Sequence, residues 1–294
     1  MSTDPAPELA LIPGGEYLMG SDDADDDERP VHRVHVDDFL IGVQPVTHDD
    51  YARFAHRSGY RVPGIYEVPV VVKAGGGDRE QAFRQTASPY VWQDGVAPRD
   101  RADHPVTLVR YEDAVAYCAW LSTQTRRAFR LPTEAEWEKA ARGGLESKPY
   151  PWGERIDRDL ANFLVDPALK GTRGTTRCRS FPANAFGLFD MAGNVWEWVK
   201  DWYDPRYYET APAQNPSGPP LGQMRVVRGG SWLVADVRML SCSYRHKVPP
   251  DTYSYGIGFR VASIVPEPGS ITMLGAGIGA LATLWRRRSR VSVG

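Results

Sequence analysis

Hydrophobic and polar residues alternate in short segments near the start of the chain. Residues 31–36 alternate with a period of two, which predicts a strand with one buried face. Residues 11–20 place short apolar runs on either side of a Pro-Gly-Gly sequence, a pattern that predicts a β-hairpin. The chain therefore begins with β structure.

Later segments have the spacing of amphipathic helices. Thr47 is placed to cap the first of them, and Thr133 begins the capping box of the last. Cys118 lies on the apolar face of the middle helix, where a buried and inert thiol is expected. The predicted helices cover residues 47–57, 112–123 and 133–143.

Composition limits the class of protein. With 42% hydrophobic and 24% charged residues, the 294-residue chain has the balance of a soluble globular core. Its 28 glycines and 24 prolines predict much irregular structure, and residues 58–103 are interpreted as a long surface excursion that is a candidate part of a binding face.

A net charge of −2 gives no electrostatic reason to expect nucleic acid. Three cysteines leave at least one unpaired, which excludes a disulfide scaffold.

The aromatic-rich segment 185–202 also carries several oxygen donors. Calcium takes six to eight oxygens from carboxylates, amides and carbonyls, and Gly193 allows the tight turn that would gather them. The alternative is an acidic core loop with no metal. The oxygen-bearing positions are Asp190, Gly193, Asn194, Val195 and Glu197.

Four motifs resemble the formylglycine-generating enzyme, or sulfatase-modifying factor, family. They are AFGLFDMAGNVWEW, RLPTEAEWEKAARGG (130–144), PWGERIDRDLAN (151–162) and RGGSW with YRHKVPPDTYSYGIGFR (228–260), in the family's order. The resemblance implies one α+β domain over 11–262, a variant of the C-type lectin fold with long irregular loops. Residues 1–10 are expected to be a disordered N-terminus.

The resemblance also implies calcium as a cofactor. At the family's first calcium site the matching positions are Asp190, Gly193, Val195 and Glu197. At its other site, Asn162 and Phe163 match the first ligands, and Asp166 is a candidate for a later one.

Copper is not expected, although the family's enzymes bind copper(I) through two cysteines. Val234 stands at the first of these positions, and Val237 or Met239 stands at the second, so no thiolate pair is present. The family's structural cysteines are also unmatched: Cys242 would face Ala141 and Cys118 would face Val261.

The segment between the RGGSW and GFR motifs lines the family's active-site groove, so its side chains are candidates for ligand recognition. Tyrosine suits such surfaces because it combines a large rigid contact area with a polar tip; the alternative is that many of these residues pack the core. Ser231 is the one candidate for catalysis, but the sequence identifies no acid to orient a base beside it, so a packed serine is favoured. The groove candidates are Ser231, Trp232, Leu233, Val234, Arg238, Met239, Tyr244, His246, Tyr253 and Tyr255.

These observations favour a non-catalytic, calcium-stabilised module that binds a protein, peptide or small-molecule ligand. One alternative is an oxidoreductase of the formylglycine-generating type that acts on protein or small-molecule thiols. Another is a variable binding protein of a diversity-generating retroelement, which would diversify residues 233–255.

The C-terminal tail resembles a PEP-CTERM sorting signal. A linker with a Val-Pro-Glu-Pro box (263–269) precedes an uncharged segment (270–285) and a basic tail (286–294). The uncharged segment is expected to form a hydrophobic membrane helix, although it is slightly shorter than the roughly 20 residues that usually span a bilayer. The resemblance implies display at the cell envelope and cleavage by an exosortase-like enzyme. The alternatives for this tail are a plain tail anchor and a disordered end. At the N-terminus no signal peptide is visible, which favours a cytoplasmic location unless the true start lies upstream.

Overall fold

The computed structural model describes residues 6–73, 76–164 and 174–265. The chain divides into two compact units, Met1–Ile264 and Val265–Gly294. The predicted hydrophobic segment, the basic tail and Asp166 lie outside the described residues. Within the described ranges, no helix has the length and apolar character needed to cross a bilayer.

The strands of the first unit form two four-stranded sheets and one two-stranded sheet. The first sheet has the order β1-β4-β10-β5 and is antiparallel, β2 pairs with β3, and the third has the order β8-β7-β6-β9 with β6 and β9 parallel. The strands are β1 (Leu9–Ile12), β2 (Gly15–Met19), β3 (His32–Val36), β4 (Phe39–Gly42), β5 (Phe129–Arg130), β6 (Trp196–Trp202), β7 (Arg225–Arg228), β8 (His246–Val248), β9 (Ile257–Phe259) and β10 (Ala262–Ile264).

The three predicted helices are confirmed. Thr47 Oγ1 accepts a hydrogen bond from Asp50 N at 3.1 Å, and Thr133 Oγ1 accepts one from Glu136 N at 3.2 Å, so both expected caps are present. The helices are α1 (His48–Ser58), α2 (Val70–Lys73), α3 (Gly77–Ala87), α4 (Tyr111–Thr125), α5 (Glu134–Arg142) and α6 (Tyr207–Thr210), and 3₁₀ turns lie at Asp26–Glu28, Ser88–Tyr90, Arg99–Arg101 and Val237–Leu240.

The predicted hairpin over 11–20 is wrong. Both of its strands exist, but β1 pairs with β4 and β2 pairs with β3, so the chain passes from one sheet to another at Pro13 and Gly14. Gly14 N donates to Asp38 Oδ1, which fixes this crossing. The Pro-Gly-Gly sequence does mark the break between the two strands, whereas the partners of the strands are set by distant residues.

Both predicted domain boundaries also need correction. Leu9 and Ala10 belong to β1, where they pair with Gly42 and Ile41, so the folded domain begins inside the segment expected to be disordered. At the other end, β10 continues to Ile264, so the first residues of the predicted linker belong to the first sheet.

The excursion at 58–103 contributes to the interior instead of lying wholly on the surface. Phe83 and Tyr90 are buried together with Leu108, Trp232 and Tyr253 in a small hydrophobic cluster. Phe83 and Tyr90 of the excursion therefore pack against the C-terminal segment.

A buried ion network fixes α5 against the third sheet. Arg228 Nη2 donates to Glu138 Oε2 at 2.6 Å, and Arg245 Nε donates to Glu134 Oε1 at 2.8 Å. Arg142 binds Glu138 from within the same helix at 2.7 Å. Burial raises the pKa of Glu138, but Arg142 and Arg228 outweigh that effect and leave it lowered. The network consists of paired charges, as burial requires.

Candidate functional site

The segment 185–195 forms a sharply folded loop before β6. Asp190, Gly193 and Asn194 have φ values of 56°, 78° and 63°, in the left-handed region. A Cβ at Gly193 would lie 2.4 Å from the carbonyl oxygen of Asn162, so this position requires glycine. Two non-glycine residues in such a conformation indicate a loop whose shape is enforced by its surroundings.

Asn194 holds this loop against two other segments. Its side chain is fully buried, and its Oδ1 accepts from Thr176 N at 2.9 Å and from Asn162 Nδ2 at 3.2 Å. Asn194 N donates to Asn162 O at 2.8 Å. The structure therefore brings together residues from both predicted calcium sites.

Asp190 is a buried carboxylate with weak charge compensation. Its Oδ2 accepts from Arg179 N at 2.9 Å, and Asn194 Nδ2 lies 3.4 Å from Oδ1. Burial raises the pKa of Asp190 to about 6, against the opposing effects of the Arg179 N–H and the Arg260 guanidinium. A bound cation would favour its ionised form, so this donor fits calcium.

Glu197 is instead satisfied by protein groups. Arg260 donates from Nε to Oε2 at 2.6 Å and from Nη2 to Oε1 at 2.7 Å, and Trp137 Nε1 donates to Oε2 at 2.8 Å. Glu197 and Arg260 are both buried. A carboxylate can accept further bonds, so its role as a calcium ligand, like those of Gly193, Val195, Asn162 and Phe163, stays a prediction.

The residues at the copper positions do not fit copper(I). Val234 is buried in the main hydrophobic cluster, and its carbonyl accepts from Leu164 N at 2.9 Å. Val237 lies in the 3₁₀ turn and is 37% exposed, and Met239 packs partly buried against the same cluster. Two aliphatic side chains and one thioether offer no thiolate.

The cysteines are free and are placed for packing. Cys118 and Val261 lie in one cluster and Cys242 and Ala141 in another, which agrees with the partner positions implied by the resemblance. Burial raises the pKa of both Cys118 and Cys242 to about 12, so neither is a thiolate at neutral pH.

Several predicted groove residues lie in the interior. Ser231 is fully buried, and its Oγ accepts from Leu233 N at 3.3 Å, which is the role of a packed serine. Trp232 and Tyr253 are covered by the excursion at 58–103, and Val234 is in the main cluster. These side chains pack in the interior, so they are removed from solvent and support the surface without forming part of it.

The accessible part of the predicted groove is smaller. Leu233 is 38% exposed and Arg238 is exposed, while Met239, Tyr244, His246 and Tyr255 are half-buried.

His246 and Tyr244 share an aromatic base that sequence reasoning did not include in the groove. The His246 ring stacks on Trp196 with centroids 4.9 Å apart, and Tyr244 lies 6.0 Å from the same ring. Burial, followed by the charge of Lys247, lowers the pKa of His246, so the ring is neutral at pH 7. The position of Trp196 in the aromatic-rich segment was the available signal.

A cavity of about 410 Å³ opens beside this aromatic group. One wall is acidic and another is basic, so it suits a polar ligand. Its lining includes Asp25, Asp27, Tyr203, Tyr244, Arg245 and His246.

Comparisons with known proteins agree with this architecture. A family model described as "Sulfatase-modifying factor enzyme 1-like domain" matches residues 1–265, and a PEP-CTERM protein-sorting motif matches residues 265–288. The chain is 32% identical to the formylglycine-generating enzyme of Bos taurus, over 88% of this chain and 75% of that protein. It is 34% identical to the inactive C-alpha-formylglycine-generating enzyme 2 of Mus musculus, over 89% of this chain and 87% of that protein.

A longer relative matches over part of its length. The chain is 36% identical to the serine/threonine-protein kinase pkn1 of Chlamydia caviae over 87% of its own length, but it spans only 38% of that protein.

Solved structures show the same fold. PvdO from Pseudomonas aeruginosa matches with a TM-score of 0.71 and 27% identity, over 89% of this chain and 95% of that one. Treponema denticola variable protein 1 matches with a TM-score of 0.66 and 23% identity, over 87% and 95%, and at that identity the likeness concerns the fold alone.

Proposed function

Because the chain belongs to the family of sulfatase-modifying factor enzyme 1-like domains, we propose that it uses this scaffold as a non-catalytic module that binds a ligand or protein. The observation that carries the proposal is the pair of copper positions, where Val234 is buried among apolar side chains and neither Val237 nor Met239 supplies a thiolate. Copper(I) selects soft thiolate ligands. The residues therefore retain the fold without the family's redox centre.

The recognition surface would be the exposed remainder of the groove. His246 and Tyr244 are held on Trp196, so they offer rigid contact area beside the cavity. Rigid aromatic anchors bind with a low cost in conformational entropy. Such use of a fixed framework with variable side chains suits the C-type lectin variant that the resemblance implies.

Calcium would stabilise the loop that precedes Trp196. The buried Asp190 carboxylate, with its pKa raised to about 6, supports a cation there, and the oxygens of Gly193, Val195 and Asn162 are candidates to complete its shell. The PEP-CTERM match supports export and display at the cell envelope, with the uncharged segment 270–285 as a transient anchor.

A copper-loading assay separates this proposal from the oxidoreductase alternative. The purified chain is loaded with copper(I) and desalted, and its metal content is measured by mass spectrometry. A cysteine-containing sulfatase peptide is then added in air, with an active formylglycine-generating enzyme as the positive control. We expect no tightly held copper and no formylglycine. Conversion of the peptide would establish an oxidase and overturn the proposal, and one copper per chain would show that other residues hold the metal.

A selection experiment tests binding itself. Peptide and glycan libraries are screened on the immobilised protein, and the selected ligands are titrated against Tyr244→Ala and Tyr66→Ala. Tyr66 is the matched control because it is 60% exposed and does not line the cavity beside Tyr244. Ligands of the groove should lose affinity with Tyr244→Ala alone, whereas equal binding by both variants would show that this surface is not the site.

The variable-protein alternative has a separate test. A near-copy of the coding sequence for residues 233–255 beside a reverse transcriptase gene would identify a diversified segment. The fold likeness to the Treponema protein does not decide this point.

A further inference from the structure

The acidic 3₁₀ turn at Asp26–Glu28 does not have the character of a solvated loop. One oxygen from each of Asp25, Asp27 and Glu28 can be chosen so that all three lie within 4.8 Å of one another. The turn borders the 410 Å³ cavity, so the group is reachable from solvent. Three carboxylates held this close repel one another unless a cation joins them.

Glu28 gives an independent indication of a missing partner. The residue is 1% exposed, and its Oε2 is buried with no hydrogen-bond partner. Its Oε1 receives only a long bond of 3.4 Å from Asp25 N. The Ser243 side chain and the Arg228 guanidinium lie near enough to favour the ionised carboxylate, but neither forms a hydrogen bond to Oε2. A buried oxygen without a partner carries an energetic cost that a ligand would remove.

The surrounding protein fixes the turn in place without neutralising it. Arg245 Nη1 donates to the carbonyl oxygen of Asp27 at 2.8 Å, and Tyr203 donates to Asp27 Oδ2 at 2.5 Å. The charge of Arg245 is balanced by both oxygens of Glu134, at 2.8 and 3.0 Å. Lys247 Nζ donates to the Tyr203 hydroxyl at 2.8 Å. Arg245 and Lys247 are therefore engaged with other groups.

We propose that Asp25, Asp27 and Glu28 bind a hard divalent cation of the size of calcium at the acidic wall of the cavity. All donors are oxygens, which hard cations prefer. Calcium with metal–oxygen distances of about 2.4 Å can join oxygens up to about 4.8 Å apart, and water from the cavity can complete its shell. This site is separate from the Asp190 loop and does not depend on whether the chain is catalytic.

Calcium binding to two matched variants tests the site. The full chain, in mild detergent and stripped with chelator, is titrated with CaCl₂, and bound calcium per chain is measured by equilibrium dialysis. Asp25→Asn removes the negative charge of a proposed ligand, whereas Asp26→Asn removes the same charge from the next residue, whose side chain is fully exposed. We expect Asp25→Asn to lose one calcium or to weaken it by about tenfold or more, and Asp26→Asn to retain it.

Thermal unfolding separates binding from folding. In chelator, Asp25→Asn should be at least as stable as the wild type, because it relieves repulsion between carboxylates. Added calcium should then stabilise the wild type and Asp26→Asn more than Asp25→Asn. The proposal is overturned if both variants weaken calcium equally, since that indicates diffuse attraction, or if Asp25→Asn leaves the bound calcium unchanged.

Discussion

Replacing Arg260 with methionine should strongly destabilise the domain. Arg260 is fully buried, and it binds both carboxylate oxygens of Glu197 and the carbonyl oxygens of Gly42 and Phe189. Arg260→Met would leave the buried Glu197 charge with Trp137 Nε1 as its remaining donor. Removing one partner of a buried pair costs about 3–5 kcal/mol, a large part of the 5–15 kcal/mol that is typical of a folded domain.

Urea denaturation followed by tryptophan fluorescence measures this loss. With a slope of roughly 3 kcal/mol per molar urea, the midpoint should fall by about 1 M or more. Arg238→Met is the control, because Arg238 is exposed and pairs with Asp236 on the surface; its midpoint should stay close to that of the wild type. The double variant Arg260→Met with Glu197→Gln should recover part of the loss, since no buried charge remains. Equal midpoints for Arg260→Met and Arg238→Met would refute the reasoning, as would a double variant with no recovery.

Three further predictions concern the loop and the thiols. Gly193→Ala should lower the free energy of unfolding more than Gly187→Ala does. The two glycines have similar φ values of 78° and 76°, but only at Gly193 would the added Cβ meet a backbone atom, the Asn162 carbonyl oxygen at 2.4 Å. Equal losses would show that the loop can shift to accommodate the Cβ. In chelator, the free energy of unfolding should fall by up to about 3 kcal/mol as the pH rises from 4 to 6. Burial raises the pKa of Asp190 from 3.8 to about 6, so the folded state holds this proton more tightly than the unfolded state and loses that advantage as the pH rises. Asp190→Asn should remove that part of the slope in denaturation curves recorded across this range, and an unchanged slope would contradict the assignment. Iodoacetamide at pH 8 should leave Cys118 and Cys242 unmodified in the native protein and alkylate both in urea, because burial raises each thiol pKa to about 12. Mass spectrometry of the peptides measures the labelling. Rapid labelling of either cysteine in the native protein would contradict its burial.

Features fixed by neighbouring residues could be predicted from the sequence, and those fixed by distant residues could not. The caps at Thr47 and Thr133 depend on partners three residues away, so the helices were located correctly. The pairing of β1 with β4 depends on residues about 30 positions apart, so the local pattern predicts the adjacent β2 as its partner instead.

The candidate site shows the same division. Asp190, Gly193 and Asn194 belong to one short loop, so their association was visible in the sequence. The burial of Trp232 and Tyr253 results from the excursion folding over them. Glu28 belongs to an acidic run, a pattern that is usually solvated, and the arginines near it come from β7 and the segment before β8, which the local sequence does not show.

The position of β10 has a consequence for the order in which the domain can assemble. Its residue Ala262 pairs with Ile41 on one side and Arg130 on the other, so the first sheet is incomplete until nearly the whole domain has been synthesised. At a synthesis rate of about 5–20 residues per second, roughly 10–40 s pass between the synthesis of β4 and that of β10. The edge of β4 that pairs with β10 has no strand partner during that time. A nascent chain of this kind exposes an unpaired strand edge, so its yield should depend on chaperones that bind such edges until the last strand arrives.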